Sequence, residues 1–209
     1  MNCALGIDLS TSHGHLAVVC DDGAVKYEQT FTSERSHNSM LYGPLGEALE
    51  VAGDGLKAII IGTGPGSYTG VRISIAAAYG VALSRSVPVN GVPSIAALGD
   101  ESYAVIGDAR RGKFYAAVVR DSLLTDGFAL LDEAGLRAWL EEHKDMPLRS
   151  SDVVAPLGLA EVQLTRPSAI RLAKHGLRPG LVADDNVEPL YVQEAFITKA
   201  KTPTMGTQV

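Results

Sequence analysis

Three short stretches of this 209-residue chain carry residue types that could hold a phosphate or another anion. The sharpest is Gly62-Thr63-Gly64-Pro65-Gly66-Ser67-Tyr68-Thr69-Gly70-Val71-Arg72, a glycine-rich turn running into a long apolar segment. A turn at a helix start can cradle an anion, because the first helical amides lack partners and the helix dipole favours negative charge. The named templates fail. A dinucleotide fingerprint needs glycine where Ser67 or Thr69 stands, a Walker loop needs a lysine, and a nucleophile elbow needs glycine where Pro65 stands. The competing reading is a tight turn whose helix is capped by Ser67 or Thr69. The second stretch, Asp8-Leu9-Ser10-Thr11-Ser12, ends an apolar run in an acid followed by hydroxyls, which suits metal-bound phosphate or a plain Asx turn. The third, Asp108-Ala109-Arg110-Arg111-Gly112, is a basic turn that could meet a phosphate or a carboxylate surface. The candidates for phosphate or nucleotide contact are therefore Asp8, Ser10, Thr11, Gly64, Gly66, Arg110 and Arg111.

Around them the catalytic inventory is thin. The chain has no Gly-Gly pair with which to build a second phosphate loop. Its histidines, His13, His15, His37, His143 and His175, form no i, i+4 pair on a helix, and HExxH is absent. His37 is a lone ligand candidate against a solvated or capping role, and Glu141-Glu142 reads as a polar helix face. No catalytic residue, metal or cofactor is expected.

The pattern of apolar runs sets the elements that must position these stretches. Strands are expected at Cys3–Leu9, His15–Cys20 and Ala24–Phe31, with Asp21-Asp22-Gly23 as a hairpin turn. A helix over Ser39–Ala52 follows, with Pro44 delaying its start. Next come a strand at Leu56–Ile61, the helix Tyr68–Arg85, a strand at Pro88–Val92, and a helix capped by Ser94. The second half partly repeats the order. It offers strands at Tyr103–Asp108, Lys113–Val119 and Phe128–Leu131, a helix at Glu133–His143, a strand at Ser151–Pro156 and a helix at Ser168–His175. A late extended segment, Pro189–Phe196, leads into a polar, disordered tail from Thr198. A three-strand meander followed by α-β-α, occurring twice, is the organisation of the α/β two-lobed actin/Hsp70-like (ASKHA) fold. It has duplicated βββαβα units and binds ligands between its lobes.

The helix Tyr68–Arg85 says most about function. Almost no polar face remains on it, so it must be covered on more than one side, and Gly70, Ser74, Ala77, Ala78, Gly80 and Ser84 allow another helix to come close. That cover is either the second lobe or a second chain.

Composition sets the remaining bounds. Charged residues are 20% and hydrophobic residues 46%, as in globular proteins, and the net charge of −6 excludes a general nucleic-acid binder. Cys3 and Cys20 are read as two buried free thiols in a reducing compartment. The start of the chain lacks a signal-peptide pattern, and no run is long and apolar enough to span a membrane, so the cytoplasm is expected.

Taken together, these segments resemble the TsaB (YeaZ) family, a subunit of the bacterial machinery that makes threonylcarbamoyladenosine in tRNA. The resemblance is carried by Gly6-Ile7-Asp8-Leu9-Ser10-Thr11, Ser36-His37, the run Gly64–Ile73, Asp108-Ala109-Arg110-Arg111-Gly112-Lys113-Phe114-Tyr115-Ala116, and Pro189-Leu190-Tyr191. It implies an N-terminal lobe over 1–100 with partner-binding helices and a C-terminal lobe over 101–209. It implies a non-catalytic scaffold that pairs with the catalytic TsaD subunit, is joined by the ATPase TsaE, and forms a homodimer when alone. The implied partner face is Ser67, Tyr68, Val71, Arg72, Ser74, Ile75, Ala78, Tyr79 and Ala82, with parts of Ser39–Ala52. Contact with tRNA is expected to be indirect or minor, with Arg110 and Arg111 the first candidates. Leu9 stands where the family commonly has threonine, and Leu41 stands where the catalytic paralogue's second metal histidine would follow His37. The competing functions are a small ATP-dependent phosphotransferase of the same fold and a glycoprotease-like hydrolase.

Overall fold

The computed structural model describes residues 1–32, 37–125, 127–179, 184 and 186–192, and of 37–39 the backbone alone. A meander of β1 (Cys3–Asp8), β2 (His13–Cys20) and β3 (Val25–Thr32) opens the chain. Helix α1 (His37–Ala52), β4 (Leu56–Gly62), α2 (Tyr68–Arg85) and β5 (Val89–Val92) complete a five-stranded sheet of order β3-β2-β1-β4-β5. The second sheet holds β6 (Tyr103–Arg110), β7 (Lys113–Arg120), β8 (Leu123–Leu124), β9 (Ala129–Leu131), β10 (Leu148–Ser150) and β11 (Gln163–Leu164). Its order is β11-β10-β6-β7-β8, with β9 also on β7 and helix α3 (Glu133–Glu142) between β9 and β10. Read from the other edge, this is the order of the first sheet with the third strand split in two. The two-lobed, duplicated α/β fold is therefore present.

Strand period two explains how the first sheet is covered. Leu5, Ile7, Ile59 and Ile61 point into the layer of α1 and α2, where Leu41, Leu45 and Ala48 of α1 and Ala78 and Val81 of α2 meet them. Ala4, Val19, Ala58 and Ile60 point to the other face. There they meet helix α4 (Ala169–Gly176), which arrives from the second half of the chain and packs on β1, β2 and β4. A β-carbon at Gly6 would run into the Ala169 carbonyl, so glycine is what lets α4 settle this close. Each isoleucine of the Ile59–Ile61 run is wholly buried, a contribution of about 1.5–3 kcal/mol apiece. Strand β3 is an edge strand, exposed along most of its length, and carries Lys26 and Glu28 as edges commonly do.

Several sequence expectations need correction. Pro44 does not delay α1, which begins at His37 and holds the proline inside it. The strand expected at Ser151–Pro156 lies earlier, at Leu148–Ser150, because Leu148 and Arg149 pair with Ala104 and Val105 of β6. Ser94 starts only a single 3₁₀ turn, Ser94–Ala97, and makes no cap. The two cysteines are not free: Cys3 and Cys20 are directly paired residues of antiparallel β1 and β2, and their sulfurs are joined. The extended segment Pro189–Phe196 is described as far as Val192, without strand pairing, and the expected tail from Thr198 and the side chains of Ser36 and His37 lie outside the described residues. No helix among the described residues is long and apolar enough to cross a membrane.

Candidate functional site

The turns at the strand ends of both sheets enclose a cleft of about 650 Å³. Ser10, Thr11, Gly66, Arg110 and Arg111, five of the seven phosphate candidates, line it together with Ser67. Asp8 and Gly64 do not. Asp8 is 1% exposed, and its Oδ1 accepts from the Ser10 amide at 2.9 Å and the Ser10 hydroxyl at 2.7 Å. Its Oδ2 turns inward against Gly62 and Ser94 and completes no hydrogen bond. Burial raises the Asp8 pKa, against the opposing pull of the Ser94 and Ser10 hydroxyls. Ser94 closes the lock: its Oγ accepts from the Gly64 amide at 2.9 Å, and its own amide donates to the Gly64 carbonyl at 2.7 Å.

On the opposite wall, Arg110, Arg111 and Gly112 all have positive φ, at 72°, 55° and 67°, which turns the hairpin tightly and presents both arginines at the cleft. Asp108 Oδ1 accepts from the Arg110 amide at 2.7 Å, and Arg110 Nη1 lies 3.4 Å from Asp108 Oδ2. Sequence reasoning missed Asp152, whose Oδ2 accepts from the Asp108 amide at 2.7 Å. Burial raises the Asp152 pKa, and the neighbouring Asp108 carboxylate adds to that. A signal existed: the turn after β10 occupies the place in the second unit that the glycine-rich turn after β4 holds in the first.

Ser67 caps α2, accepting from the Gly70 amide at 3.1 Å, so the capping reading of the turn is correct. The glycines have internal work. A β-carbon at Gly62 would occupy the space of the Asp8 carboxyl, one at Gly66 would strike the Ser10 carbonyl, and one at Gly70 the Leu9 carbonyl. The motif thus seats the loop after β1, and the Ser67 amide donates to the Ser10 carbonyl across the same seam.

Helix α2 has one face on the sheet and one in solvent. Val71, Ser74 and Ala78 of the expected partner face are buried against the chain's own sheet, with the Ser74 hydroxyl returned to the Val71 carbonyl at 2.8 Å. They are not open to a partner. Tyr68 and Arg72 are exposed, and Ser67, Ile75, Tyr79 and Ala82 are half-buried. The outward ridge also takes in Gly80, one of the small residues expected to admit a second helix, and Ala76 and Leu83, which the sequence did not single out. Leu83 is 85% exposed, and Met40, Tyr42 and Val51 of α1 are exposed as well. A helix apolar all round gives no phase from which to choose its buried side, which is why three buried residues entered the list.

The last described segment belts across α2. Tyr191 stacks on Tyr68 with ring centroids 5.5 Å apart, Arg72 lies 4.3 Å over the Tyr68 ring, and Arg72 Nε donates to the Tyr191 hydroxyl at 3.0 Å. Tyr79 takes part through its hydroxyl, which accepts from the Val187 amide at 2.8 Å. This explains why Pro189-Leu190-Tyr191 belongs with the helix motif: Leu190 donates its amide to the Thr63 carbonyl at 2.8 Å.

The family model described as TsaD, tRNA N6-adenosine threonylcarbamoyltransferase, matches residues 31–130. An uncharacterized protein of Mycobacterium leprae is 35% identical over 62% of this chain, which spans only 39% of that protein's length. The tRNA threonylcarbamoyladenosine biosynthesis protein TsaB of Escherichia coli is 27% identical over 90% of this chain and 94% of its own. The solved structure of YeaZ from Pseudomonas aeruginosa superimposes with a TM-score of 0.67 at 23% identity, over 92% of this chain and 100% of that one. At that identity the superposition establishes the fold.

Proposed function

The chain belongs to the TsaB (YeaZ) family, and from that premise we propose that it is a non-catalytic scaffold subunit in the synthesis of threonylcarbamoyladenosine on tRNA. In this reading it pairs with a TsaD-like catalytic subunit, is joined by a TsaE-like ATPase, and self-pairs when alone. The observation that supports it best is the outward ridge of α1 and α2. Leu83, Tyr68, Tyr42, Met40 and Val51 are each more than two-fifths exposed, beside Ala76 and Gly80, which leave room for a second helix. The cleft supports the same reading. A phosphotransferase would need an acid free to meet metal-bound phosphate, and Asp8 is turned away from the cleft and locked by Ser10.

The test is assembly. Leu83→Glu and Ala76→Arg alter exposed positions, so both variants fold, and a charge placed in a close-packed helix contact costs about 3–5 kcal/mol. Both are expected to lose pairing with a TsaD-like subunit in analytical ultracentrifugation and to lower transfer activity of the reconstituted assembly. Undiminished pairing in both variants refutes the ridge as the contact. Ala78→Arg is not a valid test, because Ala78 is wholly buried in the chain's own core.

A further inference from the structure

Between Glu161 and Asp184 the chain carries Arg166, Arg171, Lys174 and Arg178 and not one acid, in a protein whose net charge is −6. Ala169, Leu172 and Ala173 of α4 are buried on the first sheet, Ile170, Arg171, His175 and Gly176 are half-buried, and Lys174 is the exposed residue of the helix. Arg166, Lys174 and Arg178 are exposed and Arg171 is partly so. Arg171 is held by Asp100 through two bonds of 2.9 and 2.8 Å, so its charge is largely answered. Arg178 Nη2 donates at 3.1 Å to the backbone carbonyl of Asp121, which positions the guanidinium without cancelling it. Lys174 makes no ion pair among the described residues, although it lies near enough to Asp100 to help Arg171 hold that carboxyl below its ordinary pKa.

We propose that the basic patch made by Lys174 on α4 with Arg166 before the helix and Arg178 after it is a contact surface for the phosphate backbone of RNA, recognised by charge and not by sequence. The inference rests on the tRNA-modification reading for its choice of polyanion, but uses a different surface from the α1–α2 ridge. RNA is favoured over a lipid surface because the apolar side of α4 is already committed to the sheet, which leaves no greasy face to insert into a membrane. Lys174 stands in the last turn of α4, and Arg178 follows just past its end, where its amide donates to the His175 carbonyl at 3.2 Å, so the two cations sit close together at the C-terminal end of the helix. Three exposed cations, Arg166, Lys174 and Arg178, predict a salt slope of about −2.1 to −2.7, which is a loss of about 20- to 40-fold in affinity between 50 and 200 mM salt.

The experiment is fluorescence anisotropy of a labelled tRNA with the full chain across that salt range. Wild type is compared with Arg166→Glu/Lys174→Glu/Arg178→Glu and with the single variants Lys174→Gln and Lys174→Arg. The triple variant is expected to lose measurable binding with its thermal melt unchanged. Lys174→Gln should flatten the slope by about 1, and Lys174→Arg should keep it. Unchanged affinity and slope in a folded triple variant overturn the proposal. So does binding to phosphatidylserine–phosphatidylcholine vesicles that the triple variant loses while tRNA is not bound by wild type. Ultracentrifugation of the triple variant with a TsaD-like subunit separates the two readings. Pairing retained with tRNA binding lost supports both, whereas a wild type that binds tRNA but never pairs sinks the scaffold reading alone.

Discussion

Replacing Asp8 by asparagine should stabilise this protein at neutral pH. The carboxyl is 1% exposed, one oxygen is fully used by Ser10, and the other lies against Gly62 and Ser94 without a completed hydrogen bond. A buried polar atom left in that state costs about 1–3 kcal/mol, and more when it carries charge. Asparagine keeps Oδ1 for both Ser10 bonds and offers an N–H toward Ser94 Oγ. The expected gain at pH 7 is about 1–3 kcal/mol, or about 3–10 °C in Tm for a chain of this size. The pH dependence fixes the cause. The Asp8 pKa is raised on folding, so its favourable contribution is whole below the unfolded value of about 4 and is lost as pH climbs through the folded value. The variant has no such loss. The stability gap should therefore be small near pH 4 and widen above it. Urea denaturation of both proteins from pH 4 to pH 8 measures this directly. A variant less stable at pH 7, or a gap independent of pH, would show that Asp8 is not held as an under-satisfied buried acid.

Gly80→Ala should raise monomer stability by about 0.5–1 kcal/mol, since a β-carbon there meets open space in an exposed turn of α2, and should weaken self-association in the same sample. A melt that falls would mean the glycine has a backbone role. Thiol titration of the unfolded, unreduced chain should find neither Cys3 nor Cys20 reactive, and Cys3→Ser/Cys20→Ser should cost about 3 kcal/mol in a melt, given the 17-residue separation. Reactive thiols in the oxidised sample would refute the bond. A fragment of residues 1–100 should fail to give a cooperative melt, because it lacks α4 and so uncovers Ala4, Val19 and Ile60. A sharp two-state transition from that fragment would contradict the dependence of the first sheet on α4.

Much of the architecture was legible because the signals are local. The strand at Ile59–Ile61 is continuous and apolar because helices cover both its faces, and Tyr68–Arg85 is bounded by the Ser67 cap and a left-handed Ser86. What the sequence hid are long-range facts. Ser94 reads as a cap, yet its hydroxyl serves Gly64, thirty residues away. Cys3 and Cys20 read as free because composition says nothing about register, and only the β1–β2 pairing puts them opposite each other. In the site, the turn residues at the cleft were readable from glycine, hydroxyl and arginine chemistry. The burial of Asp8, the entry of Asp152 and the true outward side of α2 were not, since each depends on packing from another element.

The glycine-rich run is best understood as a cradle for the chain itself. In the two-lobed fold such a turn at a helix start invites a phosphate, because glycines bring backbone amides close to the ligand. Here each of three glycines admits an internal group: the Asp8 carboxyl at Gly62, the Ser10 carbonyl at Gly66 and the Leu9 carbonyl at Gly70. The loop after β1 is thereby fused to the start of α2, and the Tyr191–Tyr68–Arg72 stack clamps the same end from outside. A helix held at its origin from both sides is a stiff platform, and the described residues of the second unit hold no counterpart of it. Between β10 and β11 the chain makes only the 3₁₀ turn Pro156–Gly158 where α2 would stand. Among the described residues only the first unit carries a long apolar helix at this place, so any assembly built on α2 must be built from the first lobe.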